Sequence, residues 1–238
     1  MIVSTKAVVI HTLKYSDTSL IVKLYTQTDG IKSYIIKGTF SPKSKFKVAY
    51  FQALTLLDVE ASHNLKGTLN SLKEVRVHYH YQSIPTNIVK QTILMFLAEI
   101  LNAVLVEEGN HESLFDYLHT TLIWLDTHDK TSNFHLLFLL NLTKYLGFFP
   151  ETTLSDAPYF DLSEGKFSNQ ITLGEVLNKD ELTLFKSLLG TNFDSIEQLK
   201  LNNQKRHQLL TILIQYYELH ISGFKKPKSV PILKSIFE

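Results

Sequence analysis

Residues 20–37 read LIVKLYTQTDGIKSYIIK. Leu20, Ile21, Val22, Leu24 and Tyr25 are of types that favour an extended, half-buried backbone. Asp29-Gly30 supplies the backbone freedom of a tight turn. Ile31 to Lys37 returns as a partner strand, so the stretch predicts a β-hairpin. Toward the N-terminus, Ile2 to Lys14 alternates loosely around Val8, Ile10 and Leu13 and reads as another strand. Toward the C-terminus, Phe51 to Val59 (FQALTLLDV) is rich in strand-favouring residues. A fifth run, from about Gly67 to Tyr81, turns Val75, Val77 and Tyr79 one way and Arg76, His78 and His80 the other. Five short strands in about eighty residues fit a small barrel of the OB type.

Ser83-Ile84-Pro85 ends the β pattern, and apolar residues then recur at three- and four-residue spacing. Helices are predicted over Thr86–Val106, Ser113–Leu125 and Phe134–Leu146. The last is apolar around most of its circumference, hence central, and stops at Gly147 and Pro150. A small hairpin is predicted around Glu164-Gly165. Further helices are predicted near Leu173–Val176, over Lys179–Leu189 and over about Gln204 to Ile221. The fold expected is α+β in two domains: a five-stranded OB-type β-barrel over residues 1–82, then an all-helical domain over 83–238.

The composition excludes several chemistries. The 238 residues contain no cysteine, which removes disulfides, cysteine-ligated zinc, iron–sulfur clusters and thiol nucleophiles. The N-terminus lacks the unbroken apolar core of a signal peptide. The greasiest segment, Ile93 to Val106, is interrupted by Glu99 and Asn102 and is too short to span a bilayer. A soluble, cytoplasmic protein with no membrane partner is expected. No phosphate-binding GxxxxGK[ST] loop, GxGxxG array, GxSxG elbow or HExxH helix is present. His78 and His80 share a strand face but have no evident third ligand, so no metal and no cofactor are expected. Tyr79, Tyr81, Tyr216 and Tyr217 are candidates for stacking on bases, but tyrosines on amphipathic elements more often pack at the rim of a core. Nothing in the sequence marks an enzyme.

Charge is unevenly spread. The net formal charge is +1, yet residues 1–80 carry +6 and residues 81–238 carry −5. Within the first part, residues 37–47 (KGTFSPKSKFK) hold Lys37, Lys43, Lys45 and Lys47 with Phe40 and Phe46 and no acid. In OB barrels a positive groove follows the phosphate backbone and aromatic rings stack on bases. The loop therefore points to Lys37, Lys43, Lys45, Phe46 and Lys47 as a nucleic-acid surface. The alternatives are lysines that serve only solubility, a basic OB module for structured RNA, or an enzyme with an unrecognised acid–base site.

The chain also resembles a known family. Residues 7–47, AVVIHTLKYSDTSLIVKLYTQTDGIKSYIIKGTFSPKSKFK, are similar to the N-terminal region of the RecO recombination-repair proteins. The likeness lies in the polar-Ser-Leu turn (Asp17, Ser19, Leu20), Tyr25-Thr26 before a glycine turn, and Lys37-Gly38 ahead of a Lys-Ser-Lys loop. It continues at LLFLLNLTKYLGFFP (136–150), at YFDLSEGKFS (159–168) and at LKS (233–235). The resemblance implies a non-enzymatic mediator that binds single- and double-stranded DNA and anneals complementary strands. It further implies work with RecR and the single-strand-binding protein to load RecA, with DNA contacts on the basic residues of the barrel. Many members carry a four-cysteine zinc site after the GFFP segment, which this chain lacks. The resemblance also implies a helical surface for the acidic C-terminal tail of the single-strand-binding protein. Such a tail needs an apolar pocket and a cation. Lys144 is the candidate cation, with Leu136, Leu139 and Leu140 either pocket or core.

Overall fold

The computed structural model describes residues 1–39, 44–63, 69–105 and 112–237. Five strands are present before residue 80: β1 (Ile2–Lys14), β2 (Leu20–Thr26), β3 (Gly30–Ile36), β4 (Leu56–Ser62) and β5 (Leu69–Tyr79). They close into a barrel in the order β1-β2-β3-β5-β4, with β1 pairing antiparallel to β4 and β3 running parallel to β5. Six α-helices follow among the described residues: α1 (Ile88–Val104), α2 (Glu112–Thr127), α3 (Phe134–Leu146), α4 (Lys179–Leu189), α5 (Asn203–His220) and α6 (Val230–Ser235). An N-terminal OB-type barrel followed by a helical region is the architecture the pattern predicts.

The period-2 rule places Leu20, Val22 and Leu24 of β2 inside the barrel with Tyr34 and Ile36 of β3. Ala7, Val9, Leu57 and Val59 meet them from β1 and β4. The β2–β3 turn closes at Thr26 and Gly30, and Gly30 holds φ at 65°, where a side chain would be strained.

Two sequence expectations need correction. The run from Phe51 to Val59 is not one strand. Val48–Phe51 forms a single 3-10 turn, Leu54 takes φ 58°, and β4 begins only at Leu56. Phe51 and Leu54 are apolar because both are buried beside the barrel, Phe51 as part of its core, and not because they alternate along a strand. The helix near Leu173–Val176 is also absent. Val176–Asn178 is instead the strand β8, which pairs with β6 (Tyr159–Asp161) beside β7 (Lys166–Ser168), and Leu173 is fully exposed. The β6–β7 pair is the hairpin expected around Glu164-Gly165. This three-stranded sheet is an addition to the helical region.

Compact units fall at Met1–Thr127 and His128–Glu238. In the first, α1 packs against β1, and Val8 and Ile10, which lie outside the barrel's inner cluster, are buried. The hinge from β5 into α1 is tied by Asp126. Its carboxylate accepts from the backbone N–H of Gln82, Ser83 and Ile84 at 2.8, 2.9 and 3.0 Å and from the Tyr79 hydroxyl at 3.1 Å. Burial pushes this carboxyl up, but those donors outweigh it and hold it below the usual carboxylate range. The buried Lys90 ammonium donates to the Asp126 carbonyl at 2.9 Å and to the Ser83 hydroxyl at 2.6 Å.

In the second unit, Phe134 through Leu140 of α3 are all buried, so this helix is central. Tyr217 and Tyr216 of α5 donate to the carbonyls of Leu139 and Phe148, each at 2.8 Å. Asp161 organises the β6–β7 turn. Its Oδ1 accepts from the N–H of Ser163 and Glu164 at 2.8 and 3.0 Å, and its Oδ2 accepts from the Thr172 hydroxyl. Phe160 packs on Phe167 and Phe185, each at 4.9 Å between ring centroids. Aromatic packing and one buried carboxylate hold this segment without any cysteine ligand.

Candidate nucleic-acid interface

The elements that carry the lysine loop meet at one end of the barrel. Lys14, Leu20 and Ile36 stand side by side across β1, β2 and β3, so β1 and β3 finish level with each other. Lys37 follows at once and is exposed. Gly38 holds φ at 69°, and Thr39 N–H then donates to the Thr18 carbonyl at 2.9 Å, which ties this strand end to the β1–β2 tip. Lys43 lies outside the described residues. From Ser44 the chain crosses back to β1, where the Thr12 hydroxyl donates to the Phe51 carbonyl at 2.7 Å.

Lys45 and Lys47 are exposed on this returning segment, whereas Phe46 between them is only 8% exposed. The Phe46 ring joins the barrel core edge-to-face on Phe51, at 6.4 Å between centroids. Burial of the apolar ring decides this outcome: the Phe46 side chain turns in and both ammonium groups turn out. Lys45 Nζ lies 5.6 Å from the Phe46 ring centroid. With its ring spent on the core, Phe46 supplies anchoring to this loop and no open face for a base. Among the described residues no ion pair engages Lys37, Lys45 or Lys47.

Other faces of the barrel are less suited to phosphate. In OB folds the β2–β3 face is the usual nucleic-acid platform. Here Tyr25 of β2 stacks on Phe115 of α2 at 6.4 Å. Lys23 Nζ donates to the carbonyl and side-chain oxygens of Asn102 at 3.4 and 3.3 Å, and burial lowers its pKa. A groove across β1, β4 and β5 sets Asp58, Glu60 and Glu74 against Lys6 and Arg76. Its carboxylates would repel a phosphate chain.

The remaining sequence candidates separate clearly. The tyrosines considered for stacking are engaged inside the fold: Tyr79 and Tyr81 pack edge-to-face at 5.6 Å and bond Asp126 and the Leu54 carbonyl, and Tyr216 and Tyr217 are buried. His78 Nδ1 sits 3.1 Å from Asp58 Oδ2, and its ring lies 5.2 Å from that of His119, a neighbour nothing in the strand pattern pointed to. No group of three or more His, Asp or Glu that could hold a metal occurs among the described residues. Lys144 is exposed in the last turn of α3, 4.6 Å from the Phe149 ring centroid. Leu136, Leu139 and Leu140 are buried at 0–1% exposure, so they are core.

A closed OB-type barrel with a basic end, continued by a helical region, is an architecture that nucleic-acid-binding proteins use. Similarity to known proteins narrows it. The family model described as Recombination protein O N terminal matches residues 1–81, and the one described as Recombination protein O C terminal matches residues 85–229. The DNA repair protein RecO of Flavobacterium psychrophilum is 46% identical over 238 residues, covering 100% of both chains. That of Flavobacterium johnsoniae is 47% identical over 238 residues, and that of Phocaeicola vulgatus 34% over 240, again covering 100% of each. The chain belongs to the RecO family, and its role is in DNA repair and recombination. Among the described residues no helix is long and apolar enough to cross a membrane.

Proposed function

We propose that this protein is a recombination mediator that binds single- and double-stranded DNA, anneals complementary strands without catalytic turnover, and assists loading of RecA together with RecR and the single-strand-binding protein. The observation that supports it best is the exposure of Lys37, Lys45 and Lys47 at one end of the barrel, with no ion pair to them among the described residues. Annealing follows from the same chemistry. Lysines that neutralise phosphates on two strands lower the repulsion that slows their meeting, and base pairing supplies the choice of partner. Lys43 belongs to the same proposed surface, with Phe46 as its buried anchor. Residues 1–82 are the proposed nucleic-acid-binding region, held within the compact unit Met1–Thr127, and residues 83–238 the region proposed to meet partner proteins in the cytoplasm. Lys144 is the proposed cation for the acidic tail of the single-strand-binding protein.

Strand annealing with complementary oligonucleotides coated by single-strand-binding protein tests the reading. The intact chain should accelerate duplex formation, and a triple Lys37, Lys45, Lys47→Ala variant should lose most of that acceleration. Equal affinity for structured RNA and DNA, with no annealing, would contradict it. For the partner surface, Lys144→Glu should weaken binding of the labelled tail peptide in fluorescence anisotropy. Unchanged affinity in a folded variant would remove Lys144 from that role.

A further inference from the structure

Single-strand binding proteins of this fold combine phosphate contacts with aromatic rings on which bases stack. Phe46 is committed to the core, Tyr25 lies on Phe115, and Tyr79 and Tyr81 are hydrogen-bonded inward. With Tyr50 packed against the same core and Phe40 outside the described residues, none of these described rings offers the lysine end of the barrel an open face.

The β1–β2 tip supplies one. Tyr15 is 61% exposed, and among the described residues its ring touches no other aromatic and its hydroxyl has no hydrogen-bond partner. Its backbone is nonetheless fixed. Tyr15 N–H and Ser16 N–H both donate to the Ser19 carbonyl, at 2.9 and 3.2 Å, and Thr18 receives the Thr39 N–H from the strand end that carries Lys37. Leu13, 54% exposed, stands two residues before it. Val48, 41% exposed, is one turn from the Phe51 carbonyl that Thr12 binds. The same hydrogen bonds thus bring Tyr15, Leu13 and Val48 to the barrel end that carries Lys37, Lys45 and Lys47. A held backbone with an open ring loses little freedom on binding. The acid at the tip, Asp17, is fully exposed and lies 3.6 Å from Lys14, so phosphates belong on the Lys37–Lys47 side and a base at the tip.

We infer that Tyr15 is the base-stacking residue of the single-strand site, with Leu13 and Val48 as its apolar flank and Lys37, Lys45 and Lys47 as its phosphate contacts. This rests on the proposed DNA binding and assigns that site its aromatic. The ligand is a single strand with unpaired bases, because a stacked duplex offers no free base face away from its ends.

Anisotropy titrations of the full chain with labelled oligo(dT) and with an abasic strand of equal length test the inference. Tyr15→Ala should weaken oligo(dT) about tenfold or more, change the abasic strand by less than about twofold and leave the salt slope unaltered. Tyr15→Trp should bind oligo(dT) at least as well as the unaltered chain. Tyr15→Ala with unchanged affinity for oligo(dT), or with equal weakening on both strands, overturns the stacking role. If it instead abolished only the binding of a protein partner, the tip would be a protein-docking element and the inference would be wrong. If lysine variants weaken both strands while Tyr15→Ala weakens neither, only this inference falls. If the unaltered chain binds neither strand, the DNA-binding reading falls with it.

Discussion

Two lysine-bearing regions of the first compact unit use charge in opposite ways. At the β5–α1 hinge, Lys90 is 1% exposed and donates to the Asp126 carbonyl and the Ser83 hydroxyl, while the Asp126 carboxylate takes three backbone N–H groups and a tyrosine hydroxyl. At the barrel end, Lys37, Lys45 and Lys47 are exposed with no ion pair among the described residues. Buried charge is tolerated only when its partners are built into the fold. Exposed charge without internal partners contributes little to stability and is available to an external polyanion. The hinge is therefore structural and the barrel end is the proposed functional surface, although both are drawn from the same residue types.

The largest effect expected is from truncation. A fragment ending at residue 82 removes Asp126 and α1, and it uncovers Val8, Ile10 and Tyr25. Each such side chain is worth roughly 1.5–3 kcal/mol when buried, so the total rivals the whole stability of a small domain. The 1–82 fragment should be unfolded by circular dichroism while 1–127 melts cooperatively. A well-folded 1–82 fragment would show that the helices do not support the barrel.

Next comes Asp126→Ala within the intact chain, which leaves three backbone donors and the Tyr79 hydroxyl without their acceptor. A loss of about 3 kcal/mol in urea unfolding is expected. A loss under about 1 kcal/mol would remove Asp126 from its place as the tie. Because its carboxyl is held below the ordinary range, its contribution is present at neutral pH. It fades only as pH falls from the unfolded value of about 3.9 through the lower folded one.

The second compact unit has its own buried titrating group. His135 is fully buried, stacked on Phe237 at 5.4 Å, and burial followed by the charges of Arg206 and His207 pushes its pKa down to about 3. The unfolded chain takes up a proton near pH 6.5 that the folded chain refuses until about pH 3. Stability is therefore full above 6.5 and falls across that window, by about 2 kcal/mol between pH 7 and pH 5. His135→Phe, if folded, should flatten that part of the profile. An unchanged slope would assign the effect to another group.

The smallest stability effect belongs to the barrel end. Lys45→Ala with Lys47→Ala should shift unfolding by no more than about 0.5 kcal/mol. A shift above about 1 kcal/mol would mean these lysines have a structural role after all.

Much of this contrast is legible in the sequence. Asp29-Gly30 and the alternating runs on either side specify the hairpin, and the +6 balance of residues 1–80 points to the basic loop. Spacing within KSKFK does not reveal that Phe46 turns inward, because a lysine–aromatic alternation reads the same with either face buried. Phe51 and Leu54 mislead for a related reason: burial at a barrel end follows closure, not period. Tyr15 gives no signal, since a tyrosine in a polar turn becomes informative only when Phe46, Tyr25, Tyr79 and Tyr81 are seen to be engaged. Asp126 is equally silent, its partners lying more than forty residues away along the chain.

The most direct test of the barrel-end assignment is the salt dependence of oligo(dT) binding for the intact chain and for its Lys37, Lys45, Lys47→Ala variant. Every lysine that no longer neutralises a phosphate should reduce the magnitude of the log–log slope by roughly 0.7, so the triple variant should show a slope smaller by about 2 while its melting temperature stays unchanged. A folded variant with the slope of the unaltered chain would contradict the assignment of the barrel end as the DNA-binding surface.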